Sequence, residues 1–383
     1  MAGRSRPVRR KVLAMGSLLA LGLLAWLGSG IDASGPGSAS PLAARPQAVD
    51  APLRPPVLVG LNMDLLALDA EAAAEAIAEA RRLGLRRIRL PLNWSEIEPN
   101  RGQFDWSRLD ALLDLLVKAD IEVLLSLQSS PAWARRDPPP PSHYWICDEP
   151  TAVDPGLVRF APPTDPEDFA RFVDALVSRH AARIAAIELW HEPNILPNWR
   201  NTGPDAEDYG RLILAAAPRI RAKAPGILLV SAGLAPVVID ASPVCYMSDL
   251  VFLDRLAGAV GAPLEQVDAI GLAALGFGRS PEDEPWEDGL NFRRVELATE
   301  RLRAQQIHKP IWGLSWARYD PPVSGEGQGF EGFQGAGPAA LTASMESALA
   351  LELDWLRASW QRNASAVEAG GAGFSRLYLG MPA

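Results

Sequence analysis

The stretch Ile184-Ala185-Ala186-Ile187-Glu188-Leu189 runs into Trp190-His191-Glu192-Pro193-Asn194. A short apolar run that stops at Pro-Asn, with a carboxylate just before the stop, reads as a buried strand delivering Glu192 to its C-terminal edge. The plainer reading makes Glu192 a cap for the next helix. Glu188 lies four residues earlier with the same alternation parity, so it points into the interior. A buried carboxylate must be paired or hydrogen-bonded, and Arg87 or Arg89 is the candidate partner. Glu188 is therefore read as structural support.

Outward from this strand, β-type and helical runs alternate. Strands are predicted at residues 57–63, 86–93, 121–128, 185–190, 227–232, 267–272, 310–315 and 374–379. Helices are predicted at 70–83, 106–119, 166–180, 206–224 (with Pro218 a possible kink), 248–259, 291–305 and 339–360. Eight strand–helix steps with the last helix missing fit an α/β fold, a closed (β/α)8 TIM barrel over residues 57–383. In such a barrel catalytic groups gather at the C-terminal ends of the strands. The loop over 129–163, with Pro138 to Pro141, is long enough to read as functional.

Composition narrows the classes. The chain has 383 residues, 48% hydrophobic, with 34 Pro, 32 Gly and a formal net charge of -9. Arg4, Arg6, Arg9, Arg10 and Lys11 all precede the first acidic residue, so the body is more acidic still. An acidic body argues against nucleic acid as a partner. Four His and no His/Cys cluster at ligand spacing argue against a metal site, and no cofactor is expected. The basic start leads into an uncharged run from Val12 to Ile31, so residues 1–31 read as a signal peptide or a membrane anchor. Either places the folded part outside the cytoplasm, secreted or tethered through residues 32–56, an Ala/Gly/Ser/Pro-rich flexible segment. Such a location permits a disulfide, and Cys147 and Cys245 follow the third and fifth strands, over one mouth. Oligomeric state is not legible.

Trp190-His191-Glu192-Pro193 resembles the Trp-Asn-Glu-Pro motif on the fourth strand of the clan of retaining (β/α)8 glycoside hydrolases. Arg87-Ile88-Arg89-Leu90-Pro91-Leu92-Asn93-Trp94, then Glu98-Pro99 and Gly102-Gln103-Phe104-Asp105-Trp106, is similar to the clan's second-strand segment. The resemblance implies that Glu192 is the general acid/base and that Arg89 lies under the nucleophile. It also implies that Trp94 and Trp133, in Pro131-Ala132-Trp133-Ala134, stand beside the sugar. Both tryptophans equally fit packing at a loop base.

Three departures stand out. The clan's nucleophile is a Glu ending strand seven, where this chain reads Lys309-Pro310-Ile311-Trp312-Gly313-Leu314-Ser315-Trp316. Ser315 thus occupies a lost nucleophile position, with Trp316 beside it as a further candidate sugar contact. His191 replaces the Asn before the acid/base and lacks an amide's paired donor and acceptor. After Asp268-Ala269-Ile270-Gly271, the residues Leu272, Ala273, Ala274 and Leu275 stand where relatives carry a polar His-Pro-Tyr run. Retaining hydrolysis needs two carboxyl groups about 5–5.5 Å apart. Asp64, Asp320, Glu326 and Glu331 are possible substitutes, although they read more plainly as solvated acidic loop residues. Ser315 with His191 lacks a nucleophile elbow. Three readings follow: a degenerate barrel binding carbohydrate or a partner, an active glycosidase using Glu192 with an unusual base, and a structural envelope protein.

Overall fold

The computed structural model describes residues 58–135, 157–196, 198–199, 203–238, 245–277, 279, 283–317 and 374–380. Within them all eight strands are present: β1 (Leu58–Asn62), β2 (Arg87–Asn93), β3 (Glu122–Gln128), β4 (Ala186–Leu189), β5 (Leu228–Ser231), β6 (Ile270–Leu275), β7 (Ile311–Ala317) and β8 (Phe374–Gly380). They lie in the order β5-β4-β3-β2-β1-β8-β7-β6, parallel throughout. Parallel bridges from Val230 to Ala269 and from Leu234 to Leu272 join β5 to β6 and close the ring. This is a (β/α)8 barrel.

The first six strands are each followed by a helix: α1 (Ala70–Arg82), α2 (Ser107–Lys118), α3 (Pro166–His180), α4 (Ala206–Lys223), α5 (Asp249–Ala257) and α6 (Arg294–Ala304). Their starts are written locally. Asp69, Asp165 and Asp205 each accept a backbone N–H from the first turn of the helix they cap. Pro166 occupies the first turn of α3, where its missing N–H costs nothing. Pro218 is carried inside α4, which continues to Lys223. A further helical turn, Trp94–Ile97, follows β2 directly and was not foreseen.

Two apolar layers hold the barrel. Outside the sheet, residues such as Ile88, Leu90, Leu125 and Ile187 pack against the helices. Inside, Leu124, Ala186, Val230, Ala269, Trp312, Leu314 and Tyr378 form a separate cluster. It plugs the barrel, as interior layers of side chains do in this fold.

Strand six is placed three residues later than expected, at Ile270–Leu275. The apolar run from Val267 to Leu275 is continuous, so its pattern cannot fix where pairing begins. The shift puts Ala273, Ala274 and Leu275 inside the strand. In β7 the register slips at Leu314: Leu272 pairs with Gly313, and Ala273 with Ser315. Such a bulge turns a strand's next residue onto a new side. Gly271 makes room for it, since a Cβ there would meet Leu314 Cδ1 at 2.5 Å and Ser231 O at 2.3 Å.

Residues 1–57, the expected helix at 339–360, Cys147, Asp320, Glu326 and Glu331 lie outside the described residues, and with them the expected anchor and tether. No helix among the described residues is long and apolar enough to cross a membrane.

Candidate functional site

Above the apolar plug, toward the C-terminal ends of the strands, sits a polar layer centred on Arg89. Its Nε donates to Glu188 Oε2 at 2.6 Å, and Nη1 to Asn62 Oδ1 at 3.0 Å. Nη2 donates to Ser126 Oγ at 2.9 Å and meets His191 Nδ1 at 3.0 Å. Arg89, rather than Arg87, is thus the partner of Glu188; Arg87 pairs with Glu122. Glu188 is fully buried, and its Oε1 also accepts the Gly233 N–H at 3.0 Å. Burial alone would push the Glu188 carboxyl up. The charge of the adjoining Arg89 and its hydrogen bond outweigh that and bring the pKa down to about 2. Asn62 extends the layer to the far side of the barrel, donating to the carbonyls of Leu314 (2.9 Å) and Tyr378 (3.3 Å). It thereby satisfies the carbonyl that the β7 bulge would otherwise leave unpaired.

A guanidinium only donates, so Nδ1 of His191 must accept from Arg89, and the ring proton lies on Nε2. That nitrogen faces Glu192 Oε2 at 3.7 Å. The Glu192 side chain is 14% exposed, and Oε2 accepts from Asn198 Nδ2 at 3.0 Å. Glu192 is thus poised at the barrel mouth, next to His191 and one side chain away from Glu188. Asn198 was not foreseen; it lies six residues on, in a turn that the sequence marks only by its Pro and Asn content.

The backbone here is unusual. Trp190 (φ 74°) and Glu192 (φ 42°) both adopt left-handed conformations, which cost a non-glycine residue about 1–3 kcal/mol. Surrounding contacts enforce them. The Trp190 ring is buried edge-on against Phe169 and Trp199, and its Nε1 donates to Asn198 O at 2.7 Å. Glu192 N donates to Gly233 O at 3.2 Å. Asn194, fully buried, exchanges bonds with Ala235 at 2.7 and 2.9 Å and donates to Met247 O at 3.1 Å. Pro193-Asn194 therefore anchors the mouth to the loop after β5. Tyr209 OH donates to Leu189 O and accepts from Ala232 N, fixing β4 to β5 beneath it.

Ser315 is partly exposed and pairs with Ala273. Cross-strand partners share a face of the sheet, and Ala273 is two residues beyond Gly271, which faces the plug residue Leu314. The bulge thus turns Ser315 toward the interior side near the strand ends. The backbone of Trp316 pairs with Ala274 and Leu379; its side chain lies outside the described residues.

One expected sugar platform needs correction. Trp94 is fully buried, stacked on Phe172 at 5.4 Å, with Nε1 donating to Glu98 Oε2 at 2.7 Å. A ring enclosed on that scale cannot meet a sugar; it is core. Trp133 is half-buried, set edge-on against Trp94, bonded to Glu98 O, and carries the Arg101 guanidinium 5.0 Å from its ring centre. It closes the loop base after β3.

A family model described as β-galactosidase (glycoside hydrolase family 42) matches residues 67–143, the span holding Arg89, Glu98 and Trp133. The chain is a glycoside-hydrolase-like (β/α)8 barrel. Solved structures of glycoside hydrolases are similar to it. A family 39 glycoside hydrolase from Bacteroides cellulosilyticus WH2 shares 19% identity, with 69% of this chain and 49% of that one covered and a TM-score of 0.44. An exo-β-1,4-mannosidase from Opitutaceae bacterium strain TAV5 shares 15%, covering 85% and 51%, with a TM-score of 0.48. A GH10 protein from Paenibacillus barcinonensis shares 17%, covering 84% and 83%, with a TM-score of 0.44. The chain spans about half the length of the first two. No curated protein is significantly similar to it.

Proposed function

We propose that this protein is an exported barrel that binds a glycan at its mouth without retaining hydrolysis. The observation that carries the reading is Ser315, paired with Ala273 on the β7 bulge at the position that the resemblance gives to the nucleophile. A hydroxyl supplies neither the nucleophilic carboxylate nor the negative charge that steadies an oxocarbenium ion. Glu188, the carboxylate next to Glu192 across His191, does not replace it, being buried and locked to Arg89. Export rests on the basic start and the uncharged run from Val12 to Ile31, as a cleaved signal or a retained anchor. A Cys147–Cys245 disulfide belongs to the same reading; Cys245 is 1% exposed, and no free cysteine occurs among the described residues.

The test pairs binding with turnover. The protein should bind at least one polysaccharide saturably, release nothing from aryl glycosides, and form no adduct with 2-fluoro sugars. Hydrolysis of any glycan by the unaltered protein, abolished by Glu192→Gln, would sink the proposal.

One observation favours an active enzyme as the second reading. Asp64, just beyond β1, stands three strands from β4, the same separation as β7 in the closed ring. Burial pushes its carboxyl up, and the charge of Glu96 adds to this. The residue as a whole is nevertheless exposed. We give the exposure more weight, since a solvated carboxylate is an ordinary surface group. Turnover lost in both Asp64→Asn and Glu192→Gln would establish this second reading.

A further inference from the structure

Trp286 takes no part in the layer around Glu192, yet it is 39% exposed. It lies between β6 and α6, on a loop that topology places at the C-terminal face, the face of Glu192. One exposed aromatic means little by itself. What sets Trp286 apart is how firmly its loop is held. Asn291, 3% exposed, donates through Nδ2 to Asp283 O at 3.2 Å and Glu284 O at 2.9 Å. Arg294, also 3% exposed, donates through Nη1 to Glu287 O at 2.7 Å and Gly289 O at 2.9 Å, while Asp249 balances its charge. The ring itself sits so tightly on Gly289 that a Cβ there would meet it at 1.6 Å. Buried polar side chains thus clamp the backbone on both sides of an indole that has a single seat.

The clamp is continuous with the site. Arg294 Nη2 donates to Val237 O, on the loop whose Ala235 is bonded to Asn194, two residues beyond Glu192. We propose that Trp286, with Arg279, forms a second sugar-binding platform on this rim, taking a neutral pyranose of a glycan. The proposal rests on the glycan-binding reading. A flat indole stacks on the apolar face of a pyranose, and one already immobilised loses little entropy on binding. The Arg279 guanidinium, 5.5 Å from the ring centre, brings donors for sugar hydroxyls. Charge sets the class. Asp283, Glu284, Glu287 and Asp288 flank Trp286; among the described residues Glu284 pairs with Arg293 and Glu287 with Arg301. A uronic acid would meet net repulsion there.

The experiment titrates the full chain with β-linked gluco-, manno-, galacto- and xylo-hexasaccharides, and with oligogalacturonate. At least one neutral sugar should bind. Trp286→Ala should then weaken it about tenfold, the loss of roughly 1.4 kcal/mol, with Trp286→Tyr restoring most of it and Arg279→Ala giving a smaller loss. Unchanged affinity in Trp286→Ala would overturn the platform while leaving glycan binding intact. No binding of any neutral sugar would overturn both. Trp286-dependent binding of oligogalacturonate alone would overturn the neutral class.

Discussion

From β1 to β4 the mouth holds Asn62, Arg89, Ser126, Glu188 and His191 in one bonded layer; across β6 and β7 it holds Gly271, Ala273, Leu314 and Ser315. The first side is charged and hydrogen-bonded, and the second is uncharged, with the Ser315 hydroxyl its only polar side chain among those named. Among the described residues Arg89 and Glu188 pair charge with charge inside a plugged barrel, a need that holds whether or not the site turns anything over. Strand seven holds no such pair at Ser315, the partly exposed position that the resemblance gives to the nucleophile. A bonded charge pair at a barrel mouth therefore says little by itself about catalysis.

The comparison breaks first at Arg89. Arg89→Met should leave Glu188 buried and unpaired, lowering stability by about 3–5 kcal/mol. The double variant Arg89→Met with Glu188→Leu should recover most of the loss, because an apolar pair of similar volume is often neutral. Urea denaturation of the three proteins measures this; a single variant as stable as the parent would refute the assigned role.

Acid probes the same pair more gently. The folded pKa of Glu188 is lowered from 4.5 to about 2. A depressed carboxylate contributes stability above its unfolded pKa and loses it as pH falls toward the folded value. Stability should thus drop between pH 4.5 and pH 2, by on the order of 2–3 kcal/mol from this group. The decline should be blunted in the double variant above, and a superimposable pH profile would count against it.

Trp94→Phe tests whether that ring is core or platform. It removes the Nε1 bond to the nearly buried Glu98, which should cost about 1–3 kcal/mol. Glycan affinity should stay within about twofold of the parent, a difference well below 1 kcal/mol. Greater weakening in calorimetry would return Trp94 to the sugar.

The barrel was legible because its strands are short apolar runs punctuated by turns, and that pattern survives without any site. The placement of Glu192 and His191 just past β4 and the pairing of Glu188 with Arg89 were legible too, since strand parity carries a side chain's direction. Trp94 was misread because a motif records residue type and not depth: the helical turn after β2 rotates the ring inward. The bulge at Leu314 was invisible, for it depends on Gly271 and Asn62 from other strands. Trp286 was passed over because its clamps, Asn291 and Arg294, look in sequence like ordinary helix-start polar residues.

Ser315→Glu is the smallest change and the sharpest. At a partly exposed mouth position the new carboxylate can stay hydrated, so stability should shift by less than about 1 kcal/mol. Arg89 offers it little support. Four of its five N–H groups already have partners in Glu188, Asn62, Ser126 and His191. On the proposed reading Glu192, held by Asn198, is the acid, but His191 offers one donor where an amide would offer two functions. Misplacement alone costs about 10²-fold, so the expected gain is slow turnover of an activated aryl glycoside with a trapped 2-fluoro adduct on Glu at 315. Adding Glu192→Gln should leave the adduct and abolish turnover of substrates with poor leaving groups, since protonating the departing oxygen is the acid's task. If Ser315→Glu forms no adduct while sugar binding persists, the bulge does not aim position 315 at the anomeric carbon, and the two halves of the mouth differ in shape as well as in charge.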